Sequence, residues 1–357
     1  MNHGHPLLRA GLCSLLLSSC TNIGPDTIAR DRFDYSSAIS DSWKRQTLLN
    51  IVKLRYSDPP IFVDVGQIVS GYTFETGVSG GASVSGDPPG AAIGGFGGVL
   101  GGSARFTDRP TITYVPMTGN KFVRTLLTPL TPDAVFQTIP AGWPADSVLL
   151  AAVSTINGLD NLQWSTKGTR PPDAEFVRVL QLMREIQQIG GVSMGVKRGE
   201  SGSPSVVMVI RHHPSPEVAA KGKELRGLLK LDEKAEEFTL AFGSVPRNNT
   251  EIAVTTRSVM LIMMAMALGV DVPETDVQQG RAMPGLSPTD DVGRLIRIHA
   301  AADTPADAFV QVRYRNLTFW IDDRDLVSKR AFTFMMMLFT LSDPGTNEPS
   351  PVITIPA

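Results

Sequence analysis

The stretch Tyr72-Thr73-Phe74-Glu75-Thr76-Gly77-Val78-Ser79-Gly80-Gly81-Ala82-Ser83-Val84-Ser85 alternates: its even positions are mostly apolar, and its odd positions are polar or glycine throughout. A period of two is the mark of a strand with two unlike faces. Gly86-Asp87-Pro88-Pro89-Gly90 reads as a turn, and residues 92–106 return with Phe96, Leu100, Ala104 and Phe106 on one parity, though Ile93 and Val99 sit on the other. A long glycine-rich hairpin over residues 71–106 is therefore expected. Between residues 78 and 104 its only charge is Asp87.

Upstream, residues 61–70 are β-branched and strand-like. Residues 36–56 place Ile39, Trp43, Thr47, Ile51 and Leu54 on one helical face before Asp58-Pro59-Pro60 stops the run. Downstream, helical patterns cover 118–127, 132–139, 144–156 and 173–189. The last has Phe176, Val179, Leu180, Met183 and Ile186 at core spacing and Gly190-Gly191 behind it. Strands are then expected at 192–197, 205–211, 238–242, 252–256, 295–299, 309–315, 317–321 and 352–355. Helices are expected at 216–231, 258–268 and 326–341. The fold class is α+β: an N-terminal helix, a long Gly-rich β-hairpin, a helical segment and a C-terminal mixed α/β region.

The chain has 357 residues, 42% hydrophobic and 19% charged, which excludes a disordered polypeptide. With 33 Lys+Arg against 35 Asp+Glu, the net charge of −2 argues against nucleic acid as a partner. The apolar runs at 259–270 and 332–341 fall short of the roughly 20 residues that a membrane helix needs, and are expected to be core helices.

The N-terminus carries an address. Arg9 precedes the apolar run Leu12-Cys13-Ser14-Leu15-Leu16-Leu17, too short to span a bilayer, and Ser18, Ser19 and Cys20 follow. Leu17-Ser18-Ser19-Cys20 resembles a bacterial lipobox, which implies cleavage before Cys20 and acylation of its thiol, with palmitate among the attached chains. Several acyl chains make a stable membrane anchor. Thr21 stands where an aspartate would resemble an inner-membrane retention signal, so the outer membrane is favoured. The chain has two cysteines, and loss of Cys13 with acylation of Cys20 leaves no free thiol for a disulfide or a thiolate metal site.

The expected organisation is a lipoprotein signal peptide (1–19), a tether with the N-terminal helix (20–60), the hairpin region (61–116), a helical region (117–190) and a mixed α/β domain (191–357).

Motifs for chemistry are sparse. Gly77-x-Ser79-x-Gly81 and Gly191-x-Ser193-x-Gly195 match the nucleophile-elbow pattern, but neither stands between a predicted strand and helix. Adjacent His212 and His213 point apart on a strand. Asp322, Asp323 and Asp325 form the densest carboxylate group, weak candidates for a metal, placed where aspartate caps a helix. No cofactor or metal is expected, and the pattern leans away from an enzyme.

The hairpin admits a sharper reading. Tyr72, Phe74, Val78, Val84, Phe96, Leu100 and Phe106 would form the apolar face of a membrane hairpin, with aromatics near its base. One hairpin leaves unpaired edges in lipid, so this reading requires a homo-oligomer that closes a barrel; the weak apolarity of the second strand and its glycines favour instead a Gly-rich periplasmic loop or a long soluble hairpin.

The segments Arg30-Asp31-Arg32-Phe33-Asp34-Tyr35, Lys53-Leu54-Arg55-Tyr56-Ser57-Asp58-Pro59-Pro60, Asp108-Arg109-Pro110-Thr111-Ile112-Thr113-Tyr114 and Phe319-Trp320-Ile321-Asp322-Asp323-Arg324-Asp325 resemble uncharacterised lipoproteins of Gram-negative bacteria. The resemblance implies export and an outer membrane and transfers no catalytic residue. The expected role is that of an outer-membrane-anchored, periplasm-facing lipoprotein, structural or interacting with other envelope proteins. The alternatives are a subunit of an oligomeric β-barrel pore or secretion channel and, third, an envelope hydrolase using the Asp322–Asp325 group.

Overall fold

Helix α1 (Pro25–Arg55) begins well before the expected residue 36 and buries Leu48, Ile51 and Val52 near its end. Its stop is a backbone device. Ser57 takes a left-handed conformation (φ 57°), the Ser57 N–H donates to the Leu54 carbonyl at 3.1 Å, and the Asp58 N–H donates to the Lys53 carbonyl at 2.9 Å. This pairing satisfies two of the carbonyls that a helix end would otherwise orphan.

The computed structural model describes residues 25–69, 72–83, 97–108, 110–165, 168–198, 204–212, 215–286, 293–303 and 306–342. The protein is α+β, with helices and several separate sheets, none of them a closed barrel among the described residues. No described helix is long and apolar enough to cross a membrane. The chain divides into two compact units, one holding residues 1–40, 63–115 and 349–357, the other residues 41–62 and 116–348.

The first unit contains the start of α1 and four strands that pair as two two-stranded sheets. Strand β1 (Val63–Val69) pairs with β4 (Thr111–Pro116), and β2 (Tyr72–Ser83) pairs with β3 (Gly97–Asp108). The β2–β3 ladder runs without a break from Tyr72 opposite Asp108 to Ser83 opposite Gly97. This is the expected hairpin, and its register pairs even positions with even positions. The return strand starts at Gly97 among the described residues, and the expected turn lies outside them. Strand β4 was not among the expected elements, although Thr111-Ile112-Thr113-Tyr114-Val115 is a run of β-favouring residues; its Ile112, Tyr114 and Val115 are exposed.

The second unit holds the main core. Its first elements are helix α2 (Gly119–Phe122), which continues as a π-helical turn over Val123–Leu127, then α3 (Pro132–Gln137) and α4 (Ala145–Ala152). The helix expected over 144–156 ends at Ala152, and Val153–Ile156 forms strand β5. The reason is local: three of these four residues are Val, Thr or Ile, which favour extended backbone, and Asn157-Gly158 follows. Both turn residues have positive φ (46° and 83°), and they return the chain into β6 (Leu159–Asp160) with Ile156 opposite Leu159.

A short ribbon of β7 (Gln163–Ser165) and β8 (Gly168–Arg170) leads to α5 (Ala174–Gln188), where Phe176, Val179, Leu180, Met183 and Ile186 are all buried as the spacing predicts. After α5 come β9 (Val192–Arg198), β10 (Pro204–Ile210), α6 (Pro216–Leu228), β11 (Glu237–Phe242) and β12 (Glu251–Thr256). The main sheet has the order β6-β5-β12-β11-β10-β9, antiparallel except for β11 with β12. It takes strands from both sides of residue 190, so the second unit runs straight through the position expected to separate helical and mixed regions.

Helix α7 (Val259–Ala267) is buried on most of its circumference, including Val259, Ile262, Met263 and Met266. Each such side chain contributes about 1.5–3 kcal/mol of burial. The short helix α8 (Glu274–Gln278) follows, then a sheet ordered β13 (His299–Ala301), β15 (Leu317–Asp322), β14 (Ala308–Tyr314). The strand expected at 295–299 pairs with β15 only from His299 onward. The last described element is α9 (Leu326–Ser342), which buries Phe332, Met335, Leu338 and Phe339. Both short apolar runs are thus core helices.

Candidate functional site

The carboxylates of Asp322, Asp323 and Asp325 turn to three different partners. Asp322 Oδ1 accepts from the Arg324 N–H at 2.8 Å, closing a local turn. Asp323 Oδ1 accepts from Lys329 Nζ at 2.7 Å. Asp325 caps α9: its Oδ1 accepts from the Ser328 N–H at 3.0 Å and its Oδ2 from the Ser328 hydroxyl at 2.6 Å. Burial alone would raise the Asp325 pKa, but these bonds, one from the Val327 backbone and the nearby His299 together hold it below the usual carboxylate value. Among the described residues, no group of three or more His, Cys, Asp or Glu is placed to hold a metal ion.

The serines of the two elbow-like patterns lie inside strands. Ser79 pairs opposite Gly101, and Ser193 opposite Val209. Neither has the strand–turn–helix setting that exposes a nucleophile. His212 is exposed at the end of its strand and His213 is outside the described residues. His299 stacks on Trp320 with ring centroids 5.3 Å apart and lies 3.3 Å from Asp271 Oδ2.

Of the hairpin residues, Tyr72, Phe74 and Val78 lie on β2, and Leu100 and Phe106 on β3, with Phe74 directly opposite Phe106. The register pairs even positions with even, so these five share one parity of the ladder, while Val99 stands on the other, opposite Gly81. Val84, Phe96 and Cys20 lie outside the described residues. On the other face Glu75 and Arg105 are directly opposite and exposed, followed by Gly77 opposite Ser103 and Ser79 opposite Gly101.

Sequence reasoning missed the hollow that adjoins the helix cap. The first turns of α9, the start of α4 and the segment before β13 enclose a cavity of about 140 Å³. Its walls include Trp143, Leu150, Leu295, Ala331 and Phe334, and the Trp143 and Phe334 rings stand 4.8 Å apart at 49°. Arg294 and Arg330 also line it, and no carboxylate does among the described residues. Wider hollows of about 440 Å³ and 330 Å³ lie on either side of α9, the first sharing Trp143 and Arg330, the second sharing Arg294 and Val327. These residues come from three separated stretches of chain, and no spacing rule links them.

Two polar side chains, half-buried Gln187 and buried Arg257, fix the walls. Gln187 donates to the carbonyls of Ile139 (2.9 Å) and Trp143 (2.7 Å) and accepts from the Ala145 N–H at 3.0 Å. Arg257 donates to the carbonyls of Leu150 (3.0 Å), Ala151 (3.3 Å) and Leu162 (2.8 Å), and stacks over Trp164. Burial lowers its guanidinium pKa to about 10, so it remains charged at neutral pH.

Compared with known proteins, the chain matches no family model, no curated protein and no solved structure.

Proposed function

We propose that this chain is an envelope lipoprotein, anchored in the outer membrane through acylated Cys20 and facing the periplasm, where it acts as a structural or interaction component of an assembly. The address rests on Leu17-Ser18-Ser19-Cys20 and the apolar run before it. The role rests on the first unit's surface. Phe33, Ile39, Val69, Ile112 and Tyr114 are exposed there, in the unit whose β2–β3 ladder has no third strand on either edge among the described residues. Exposed apolar surface beside open strand edges is the pattern of a protein that binds other chains.

The test of the anchor is incorporation of labelled palmitate and its loss in Cys20→Ala, with the variant released from the membrane fraction. The test of the role is the native mass of the acylated protein in mild detergent, beside a variant with residues 78–104 replaced by a short turn. A discrete complex that falls apart in the variant supports an assembly role for the hairpin. Monomers in both would sink it.

One observation favours a second reading, the oligomeric pore. The twelve-residue strands β2 and β3 exceed the roughly 9–11 residues needed to span a bilayer. Between Thr76 and Ser83, and between Gly97 and Ala104, the ladder holds no charged residue. If this reading holds, the detergent complex conducts ions in planar bilayers and the shortened variant does not.

A further inference from the structure

We infer that the cavity at the start of α9 is a binding site for a small aromatic carboxylate. This inference goes beyond the anchoring role and does not depend on it.

Size comes first. A cavity of about 140 Å³ is close to the roughly 150 Å³ apolar cavity that accepts a benzene ring. Wall chemistry agrees with size. Trp143 and Phe334 offer aromatic faces, and Leu150, Leu295 and Ala331 complete an apolar lining. Aromatic rings pack on such faces in offset or tilted contact.

Charge then selects the polar end. The Arg330 side chain is exposed at the rim and makes no hydrogen bond or ion pair among the described residues. Its neighbour Lys329 is by contrast engaged, by the Asp323 carboxylate and carbonyl. Arg294 also lines the cavity, and no described carboxylate does. A guanidinium at an apolar mouth is matched by a carboxylate, which accepts two parallel N–H bonds. The ligand that fits is therefore an anion whose body is one flat ring.

Preorganisation is the third argument. The Trp143 wall is held by Gln187 through partly buried hydrogen bonds, and the Leu150–Ala151 wall by the buried Arg257 guanidinium. A site whose walls are fixed before binding loses less free energy to ordering.

The experiment uses the full chain as purified in a mild non-aromatic detergent, whether or not it carries acyl chains, with the detergent alone as the reference for partitioning. The probes are para-fluorobenzoate and its neutral counterpart para-fluorobenzyl alcohol, followed by fluorine NMR. The acid should bind saturably and about tenfold or more tighter than the alcohol, the usual worth of a charged hydrogen bond. Arg330→Gln, an exposed change that leaves the core intact, should erase that preference while the alcohol binds as before. Ala331→Leu, which fills the cavity, should abolish binding of both. The inference is overturned if no saturable binding occurs, if acid and alcohol bind alike to the unaltered protein, or if Arg330→Gln leaves the preference unchanged.

Discussion

The side-chain amide of Gln187, on the last turn of α5, donates to the Trp143 carbonyl at 2.7 Å. Its oxygen accepts from the Ala145 N–H, the first residue of α4, so one side chain fastens both sides of Pro144. Replacing it with Leu keeps the bulk and removes three partly buried partners. We expect Gln187→Leu to lose about 2–4 kcal/mol in urea unfolding, since each unsatisfied buried group costs about 1–3 kcal/mol. Trp143 fluorescence should shift to the red in the folded variant. Unchanged stability would mean that water replaces all three bonds.

Four helix ends close in one way and use different residues. Ser57, Gly190, Lys230 and Gly280 all have positive φ, and each is followed by an N–H that reaches back five residues, as from Leu231 to the Arg226 carbonyl. Glycine adopts this conformation without a Cβ clash, whereas other residues are strained by roughly 1–2 kcal/mol. Ser57→Gly and Lys230→Gly should each raise the urea midpoint by about 0.5–1 kcal/mol equivalent with the slope unchanged. Gly190→Ala should lower it. A drop for Ser57→Gly would show that its hydroxyl outweighs the strain.

Asp325 makes α9 pH-sensitive. Its pKa is lower in the folded protein than in the unfolded chain. The stabilisation is therefore present above the unfolded value, about 3.9, and is lost as pH falls through the folded value. Asp325→Asn keeps an oxygen for the cap and removes the charge. The difference in melting temperature between the protein and this variant should be largest at neutral pH and shrink as the pH falls through the folded value. Asp325→Ala should cost about 1–2 kcal/mol. A turnover found for the folded protein and lost in Asp325→Ala without loss of stability would instead revive the hydrolase reading.

Asn157 joins two layers of the second unit. Its Nδ2 donates to the Leu229 carbonyl at 2.6 Å, its Oδ1 accepts from the Ala253 N–H at 2.7 Å, and its backbone is left-handed. Asn157→Ala loses both bonds and strains the turn, an expected cost of about 3–5 kcal/mol by differential scanning calorimetry. Asn157→Asp keeps the acceptor but sets a carboxylate oxygen against the Leu229 carbonyl, so at neutral pH it should cost at least as much.

Legibility followed the range of the forces. The α5 stripe from Phe176 to Ile186 and its Gly190 stop were readable because the periodicity and the cap are local. The hairpin was readable for the same reason: strand parity is a property of consecutive residues, and the register only brings the two apolar sets onto one face. The end of α4 at Ala152 was missed, although Asn157-Gly158 is a hairpin signal, because Val148, Leu149 and Ile156 keep a helical spacing across the break.

From the sequence alone come the α+β class, the glycine-rich hairpin and the two core helices whose runs are too short for a membrane. Each depends on residues within a few turns of one another, where steric and hydrophobic periodicity act directly. Only the tertiary structure decided that β5 and β6 join the sheet of β9 to β12, and that Trp143, Arg294 and Arg330 line one cavity. Such meetings follow from how the apolar faces pack together, and packing selects partners by shape and volume across the chain, which no local pattern encodes.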